Sequence, residues 1–396
     1  MPKLVDFCNT DIQRKIVELF ESGETSQAEI ARKLKLPRNT VTKTLSRVRR
    51  RASLQGWSPD HDMTKVVPES HFVKGVSTLY GPDGEQKLQW VKSSVDSDRL
   101  KEFAVDLATG ISQELTPLPP VQLIAQNSTS EELAVYPIGD AHIGLYCWHE
   151  EVQADWDLDI AEALMTEGFL KVLAATPDTE EALICNLGDW FHTDTPANVT
   201  AASGHSLDVD TRWAKVARVG IRLMRRMIEA ALQKHQLVRV INSIGNHDEQ
   251  TSQLLGLTME TAYENEPRVT IDTSPDGFHW HEFGNNFIGV HHGHKCKPEQ
   301  LYKVMAEDKR IECGRCEHRY WYTGHIHHQK RVDVGGQVIE SFRTLIPRDQ
   351  YSHTNGFRSK RDICSITLHK EFGEHRRSTI NIGQIVQSLE AKLSKK

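Results

Sequence analysis

Five apolar runs in this 396-residue chain end at or beside a glycine and are followed closely by metal-ligand residue types. They are Ile138-Gly139-Asp140-Ala141-His142, Leu187-Gly188-Asp189-Trp190-Phe191-His192, Ile244-Gly245-Asn246-His247-Asp248, Ile288-Gly289-Val290-His291-His292-Gly293-His294 and Tyr322-Thr323-Gly324-His325-Ile326-His327-His328. Strands that stop at glycine and present Asp, Asn and His from their ends build a site at one edge of a sheet, which is where open α/β sheets bind ligands. Carboxylate, carboxamide and imidazole together suit borderline divalent ions such as Mn, Fe, Zn or Co. The inventory is large enough for two ions that share one bridging carboxylate.

Taken in order, Asp-x-His, Gly-Asp, Gly-Asn-His-Asp, His-Gly-His and Gly-His-x-His resemble the calcineurin-like metallophosphoesterase superfamily, over roughly residues 131–345. Two details lean toward its SbcD-type DNA repair nucleases: Asp140-Ala141-His142 followed by Ile143-Gly144, and Gly188-Asp189-Trp190-Phe191-His192. The protein Ser/Thr phosphatase branch instead has Asp-Arg-Gly after its second motif and Gly-Asn-His-Glu in its third, and this chain has neither.

The resemblance implies an α/β fold, a two-sheet β-sandwich flanked by helices, over residues 131–396. It implies two divalent metal ions, Mn first and Fe, Zn or Co as alternatives. One ion would take Asp140, His142, Asp189 and His327. The other would take Asp189, Asn246, His292 and His325, so that Asp189 is the bridge. His247, beside a ligand, becomes the general acid or a phosphate contact, and Asp248 is expected to orient it and raise its proton affinity. His192 stands where SbcD-type nucleases have a histidine that bears on how substrate strands are held. His291 and His294 compete with His292, which begins the His-Gly-His pattern, and His328 reads as a neighbour.

Residues 1–55 read as a small all-α helix-turn-helix domain. Thr10 and Ser26 can cap helices, with Gln13 completing a capping-box pattern. Ile12, Ile16, Leu19 and Phe20 fall at helical spacing. Gln-x-x-Ile-Ala-x-x-Leu-x-Leu followed by Asn-Thr-Val-x-x-x-Leu resembles the helix-turn-helix family, whose second motif helix enters the major groove. Arg38, Asn39, Thr40, Thr42, Lys43, Arg47 and Arg50 are then the DNA-binding candidates, with Arg49 and Arg51 trailing along the backbone. Here net charge enters: these residues hold 12 Lys/Arg against 6 Asp/Glu, so a head at +6 sits on a body at -12 within a total of -6. A basic head of this kind suits a polyanion, although a three-helix protein adaptor would look similar.

Residues 56–130 read as a linker with a β-hairpin at 71–80 and 87–91, a short helix at 98–112 and a linker at 114–129. In the catalytic region strands are expected at 134–138, 182–187, 238–244, 269–272, 287–290 and 320–323, and helices at 159–174, 213–234 and 253–265. Hairpins are expected at 331–334 with 338–342 and at 363–369 with 378–382. A polar loop at 193–210 follows the second motif, a common place for substrate contacts. Cys313-Gly314-Arg315-Cys316 has zinc-site spacing but lacks a second paired half.

The seven cysteines, without a regular framework, and the lack of an apolar signal core or membrane-length run suggest a cytoplasmic protein with no membrane partner. The leading function is a binuclear-metal-dependent phosphodiesterase, a DNA exo- or endonuclease that uses metal-activated water. Its expected partner is DNA, with a partner ATPase subunit or a homo-oligomer as candidate assemblies. A phosphodiesterase acting on small or cyclic nucleotides is the alternative, and a DNA-binding regulator with a vestigial phosphoesterase domain is a third.

Overall fold

Side-chain oxygens start the first two helices. In the computed structural model, which describes residues 3–23, 26–55, 57–58, 63–64, 71–80, 86–95, 122, 128–194 and 207–394, Thr10 accepts from the Gln13 amide at the start of α1 (Asp11–Glu21). Ser26 does the same for Glu29 in α2 (Gln27–Leu34), and left-handed Lys35 (φ 54°) ends that helix. Helix α3 (Arg38–Leu54) starts behind Pro37. At 11 and 8 residues, α1 and α2 are shorter than the ~12–15 residues an isolated helix needs. Packing must therefore hold them. Ile16, Val17, Ile30, Ala31, Val41, Leu45, Val48 and Ala52 close a core with Leu4 and Phe7. Val17 is buried while Ile12, expected on the same face, is 47% exposed.

The chain divides into two compact units, Met1–Ala104 and Val105–Lys396. The first also contains β1 (Trp57–Ser58) paired with β2 (Met63–Thr64), with the Trp57 ring stacked on Phe7 at 5.5 Å. It contains the expected hairpin as well, β3 (His71–Tyr80) antiparallel to β4 (Gln86–Val95). The helix expected at 98–112 and most of the linker at 114–129 lie outside the described residues.

In the second unit strands and helices alternate: β5 (Thr129–Ile138), α4 (His149–Val152), α5 (Leu158–Ala175), β6 (Thr179–Asn186), α6 (Trp213–Lys234), β7 (Leu237–Asn242), α7 (Glu249–Ala262) and β8 (Val269–Asp272). Helical crossovers make β5 to β8 parallel neighbours. The second sheet follows from β9 (His279–Phe283), β10 (Asn286–Val290), β11 (His318–Thr323), β12 (Lys330–Val334) and β13 (Gln337–Ser341), with α8 (Pro298–Asp308) and α9 (Arg310–Arg315) between β10 and β11. Its order is β12-β13-β11-β10-β9. After α10 (Gln350–Thr354), β14 (Asp362–His369) and β15 (Gly373–Asn381) return to the first sheet, giving the order β15-β14-β5-β6-β7-β8, and α11 (Ile382–Leu393) closes the chain.

Two-residue alternation sets the layers. Leu133, Val135, Leu183 and Cys185 meet Ile288, Val290, Tyr320 and Tyr322 between the sheets. Ala134, Tyr136, Ala182 and Ile184 point the other way, onto Phe169, Met224 and Ile228 of the helices. Phe287, Trp321 and Ile339 on the outer face of the second sheet are covered by Leu301 and Met305 of α8. The result is the expected two-sheet sandwich between helices. Strand β9 and helices α8, α9 and α11 were not anticipated from sequence.

Cys313 and Cys316 belong to the outer core, and all seven cysteines are free. Among the described residues no helix is long and apolar enough to cross a membrane.

Candidate metal centre

The five glycine-marked strand ends converge. Asp140 and His142 follow β5, Asp189 and His192 follow β6, Asn246 to Asp248 follow β7, His292 follows β10, and His325 and His327 follow β11. Seven non-glycine described residues have positive φ, and five of these are Asp140, His142, Asp189, His325 and His327, at 31° to 69°. Left-handed backbone of this kind costs on the order of 1–3 kcal/mol per residue and persists only where its surroundings enforce it. Here they do. The His142 amide donates to the Asp189 carbonyl at 2.9 Å, and the His325 amide donates to both Asp140 oxygens at 2.9 and 3.0 Å.

The glycines have a geometric reason. A Cβ on Gly245 would lie 2.0 Å from Asp189 Oδ1, and one on Gly188 (φ 96°) would lie 2.6 Å from His292 Nδ1. The ligand side chains occupy the volume that any other residue would fill.

Three triads place ligand atoms within 4.8 Å of one another: Asp140, His142 and His327; Asp189, His292 and His325; and His142, His192 and His247. The two that hold a carboxylate are the candidate ion sites. Asp189 reaches both, with Oδ2 3.2 Å from His292 Nε2 and 3.8 Å from His142 Nε2. Asn246 Oδ1 lies 3.1 Å from His292 Nε2. His292 Nδ1 donates to the Leu187 carbonyl at 2.8 Å, which fixes its tautomer and turns Nε2 into the site. Asp140 and Asp189 are 0% and 2% exposed, and among the described residues only histidines face them as ion partners. Buried carboxylates need a counter-charge, and the donor set suits divalent ions. The residues present therefore fit two metal ions.

The two carboxylates shift the titration of the histidines around them. Burial alone would depress His292, but the charge and hydrogen bond of Asp189 outweigh it and lift the ring to about 10. His327 is raised by Asp140 against the same burial penalty. Burial, and then His247, hold His142 well below the usual histidine range.

His247 sits beside the two carboxylate triads with its ring 4.6 Å from that of His142. Its Nδ1 pairs with the His192 carbonyl at 2.9 Å, and its amide donates to Asp189 Oδ1 at 2.8 Å. Asp248 does not orient it. That carboxylate is fully buried and accepts from the amides of Asp189, Phe191 and Gly245 at 3.2, 3.1 and 3.0 Å, so it braces the backbone that carries the bridge. Burial, and then Asp189, push Asp248 up to about 8.

His192 is 3% exposed, with Nδ1 3.2 Å from His142 Nδ1, so it lies behind a candidate ligand. Burial pushes it down to about 3. His291 turns away to stack on Phe278 at 4.8 Å and His328 bonds the Ile326 carbonyl, while the His294 ring stays 5.2 Å from that of His292 and 6.2 Å from that of His325.

In the first unit Arg38, Asn39, Thr40, Thr42, Lys43, Arg47 and Arg50 are all exposed along α3. Thr42 is partly committed, donating to Gln27 Oε1 at 2.7 Å. Arg49, though exposed, and half-buried Arg51 both contact their own unit. Arg49 lies over the Phe20 ring at 4.9 Å, and Arg51 donates to the Phe7 carbonyl at 2.7 Å.

Two features escaped the sequence reading. Asp194 accepts from the amides of Gln250 and Thr251, both at 2.9 Å, and so caps α7 from a distant loop. The segment 344–361 forms one wall of a groove that opens from the metal centre. Cations interleaved with Tyr351 and Phe357 were its available signal. Most of the loop expected at 193–210 falls in 195–206, outside the described residues.

No protein-family model matches the chain, and no curated protein matches it significantly. Among solved structures, a novel archaeal phosphodiesterase is similar over 63% of this chain and 99% of its own, at 13% identity and a TM-score of 0.31. A Streptococcus pneumoniae protein named as a predicted phosphoesterase matches over 65% and 99%, at 10% identity and 0.27. Vps29 from Entamoeba histolytica complexed with zinc matches over 63% and 99%, at 11% identity and 0.27. Likenesses this faint say nothing about the site, which stands on the distances above.

Because ligation requires neutral imidazole, metal uptake near neutral pH should expel a proton from His292, which sits at about 10. Calorimetric titration in buffers of different ionisation enthalpy should show net proton release, and affinity should weaken as pH falls. Heats independent of buffer would contradict this charge assignment.

Proposed function

We propose that the chain is a binuclear-metal-dependent phosphodiesterase, with DNA as its substrate class. The observation that carries the reading is Asp189, buried and within reach of both carboxylate triads. Mn, Fe, Zn or Co held there would supply an activated water and positive charge against the phosphoryl oxygens. Asp140, His142 and His327 would hold one ion, and Asn246, His292 and His325 the other, with Asp189 shared.

The chain's own contribution to the chemistry centres on His247. With Nδ1 engaged by the His192 carbonyl, its Nε2 is the nitrogen left to face substrate. When protonated it can donate to the leaving oxygen. His192 lines the groove beside His142 and His247 and would position the His142 ring. The vestigial alternative is disfavoured by the convergence of all seven expected ligands.

Two substitutions separate these roles. Asp189→Asn should lose at least one ion and with it turnover, since a neutral amide cannot balance two dications. His247→Ala should retain both ions by elemental analysis while turnover of bis-p-nitrophenyl phosphate falls by about 10²–10⁴-fold. Two ions and normal turnover in Asp189→Asn would sink the assignment.

The basic face of α3 supports a DNA-docking role for the first unit. Arg47→Glu with Arg50→Glu should raise KM for long duplex DNA and flatten the salt dependence of binding, by about 1.8 in the log–log slope for two lost phosphate contacts. Val41, Leu45 and Val48 carry the packing, so the helices should survive. An unchanged slope would make this unit a protein adaptor.

A further inference from the structure

The groove that opens from His247 and His327 extends well past the ligands, and nothing in phosphodiester chemistry requires its far wall. Its volume is about 1150 Å³, above the ~300–1,000 Å³ of typical small-molecule sites. A mononucleotide would leave much of it empty. The wall is segment 344–361, which carries four cations and one acid in a body whose net charge is otherwise strongly negative. The acid, Asp349, is engaged in capping α10 through the Ser352 amide at 2.8 Å. Arg361 is also engaged, bonding the Leu345 carbonyl at 2.7 Å and lying over Trp156.

Arg348, Arg358 and Lys360 have no carboxylate partner among the described residues, although Arg358 donates to the His353 and Phe357 carbonyls at 3.3 and 2.9 Å, whereas Arg331, Arg343 and Arg377 each pair with one. Interleaved with them are two rings that water would not favour leaving bare. Tyr351 is 61% and Phe357 58% exposed, with centroids 6.3 Å apart and planes inclined by 58°.

Unpaired cations call for anions, and bare rings call for flat apolar faces. A single strand offers both at nucleotide spacing, while a duplex keeps its base faces stacked inside. Proteins that hold single strands combine these elements, a positive groove and aromatic platforms.

We propose that this wall is a binding site for a single-stranded polynucleotide, with bases stacked on Tyr351 and Phe357 and phosphates against Arg348, Arg358 and Lys360. The strand then runs to the metal centre and presents a phosphodiester to His247. The second statement rests on the phosphodiesterase reading; the first does not.

The test uses the full chain in chelator, so that nothing is cut, with fluorescein-labelled oligothymidylate and oligouridylate followed by anisotropy. Single strands are chosen because a helix-turn-helix reads duplex grooves. Tyr351→Ala with Phe357→Ala should weaken binding at least about tenfold. Arg358→Gln with Lys360→Gln should lower the log–log salt slope by about 1.4. Thermal melts should be unchanged, because all four side chains are exposed. Tighter binding of one oligomer identifies DNA or RNA as the strand. Wild-type chain that binds neither oligomer, or variants that bind both as wild type does, overturns the proposal. A metal-loaded wild type that fails to hydrolyse bis-p-nitrophenyl phosphate, while the variants still lose the strand, removes the phosphodiesterase reading and leaves the strand site standing.

Discussion

Two buried carboxylates, Asp140 and Asp189, set the terms for the second unit. Each lies almost wholly out of water, and among the described residues only imidazoles are its ion partners. Asp189 beside His292 and Asp140 beside His327 raise both rings' affinity for protons. Divalent ions would offset the carboxylates' charge, and the same imidazoles would then serve as ligands. Protons and divalent ions would thus compete for the same imidazoles.

The centre depends on backbone geometry that ordinary strands do not have. Parallel strands must end in left-handed turns for Asp140, Asp189 and His325 to point at one another. Glycines remove the side chains that would collide there, and buried Asp248 ties Asp189, Phe191 and Gly245 together by their amides. The two sheets supply the rigid platform, since the ligands come from β5, β6 and β7 of one and β10 and β11 of the other. A strained centre built across two sheets is held by the whole sandwich core rather than by any single loop.

The sequence revealed most of this because the information is local. An apolar run, a glycine and a ligand lie within a few residues, so strand, turn and site are read together. Thr10 and Ser26 were legible as caps for the same reason. What escaped was set by distant contacts. Asp248 is next to His247 in sequence, yet its carboxylate points to the backbone of β6's turn. Arg51 looked like a phosphate contact until the Phe7 carbonyl, 44 residues away, claimed it. Helix α8 exists to cover Trp321 and Phe287, whose exposure on the outer sheet face no local pattern announces. The aromatic and basic wall at 344–361 acquires meaning only when the fold brings it beside His327.

On the proposed reading, Asp189 joins two ions into one centre. Electron paramagnetic resonance of the chain loaded with Mn at two equivalents tests it directly, because ions that share a carboxylate are magnetically coupled. The expected result is the broad, temperature-dependent spectrum of an exchange-coupled pair. A spectrum showing only the hyperfine pattern of isolated Mn at full loading would contradict it.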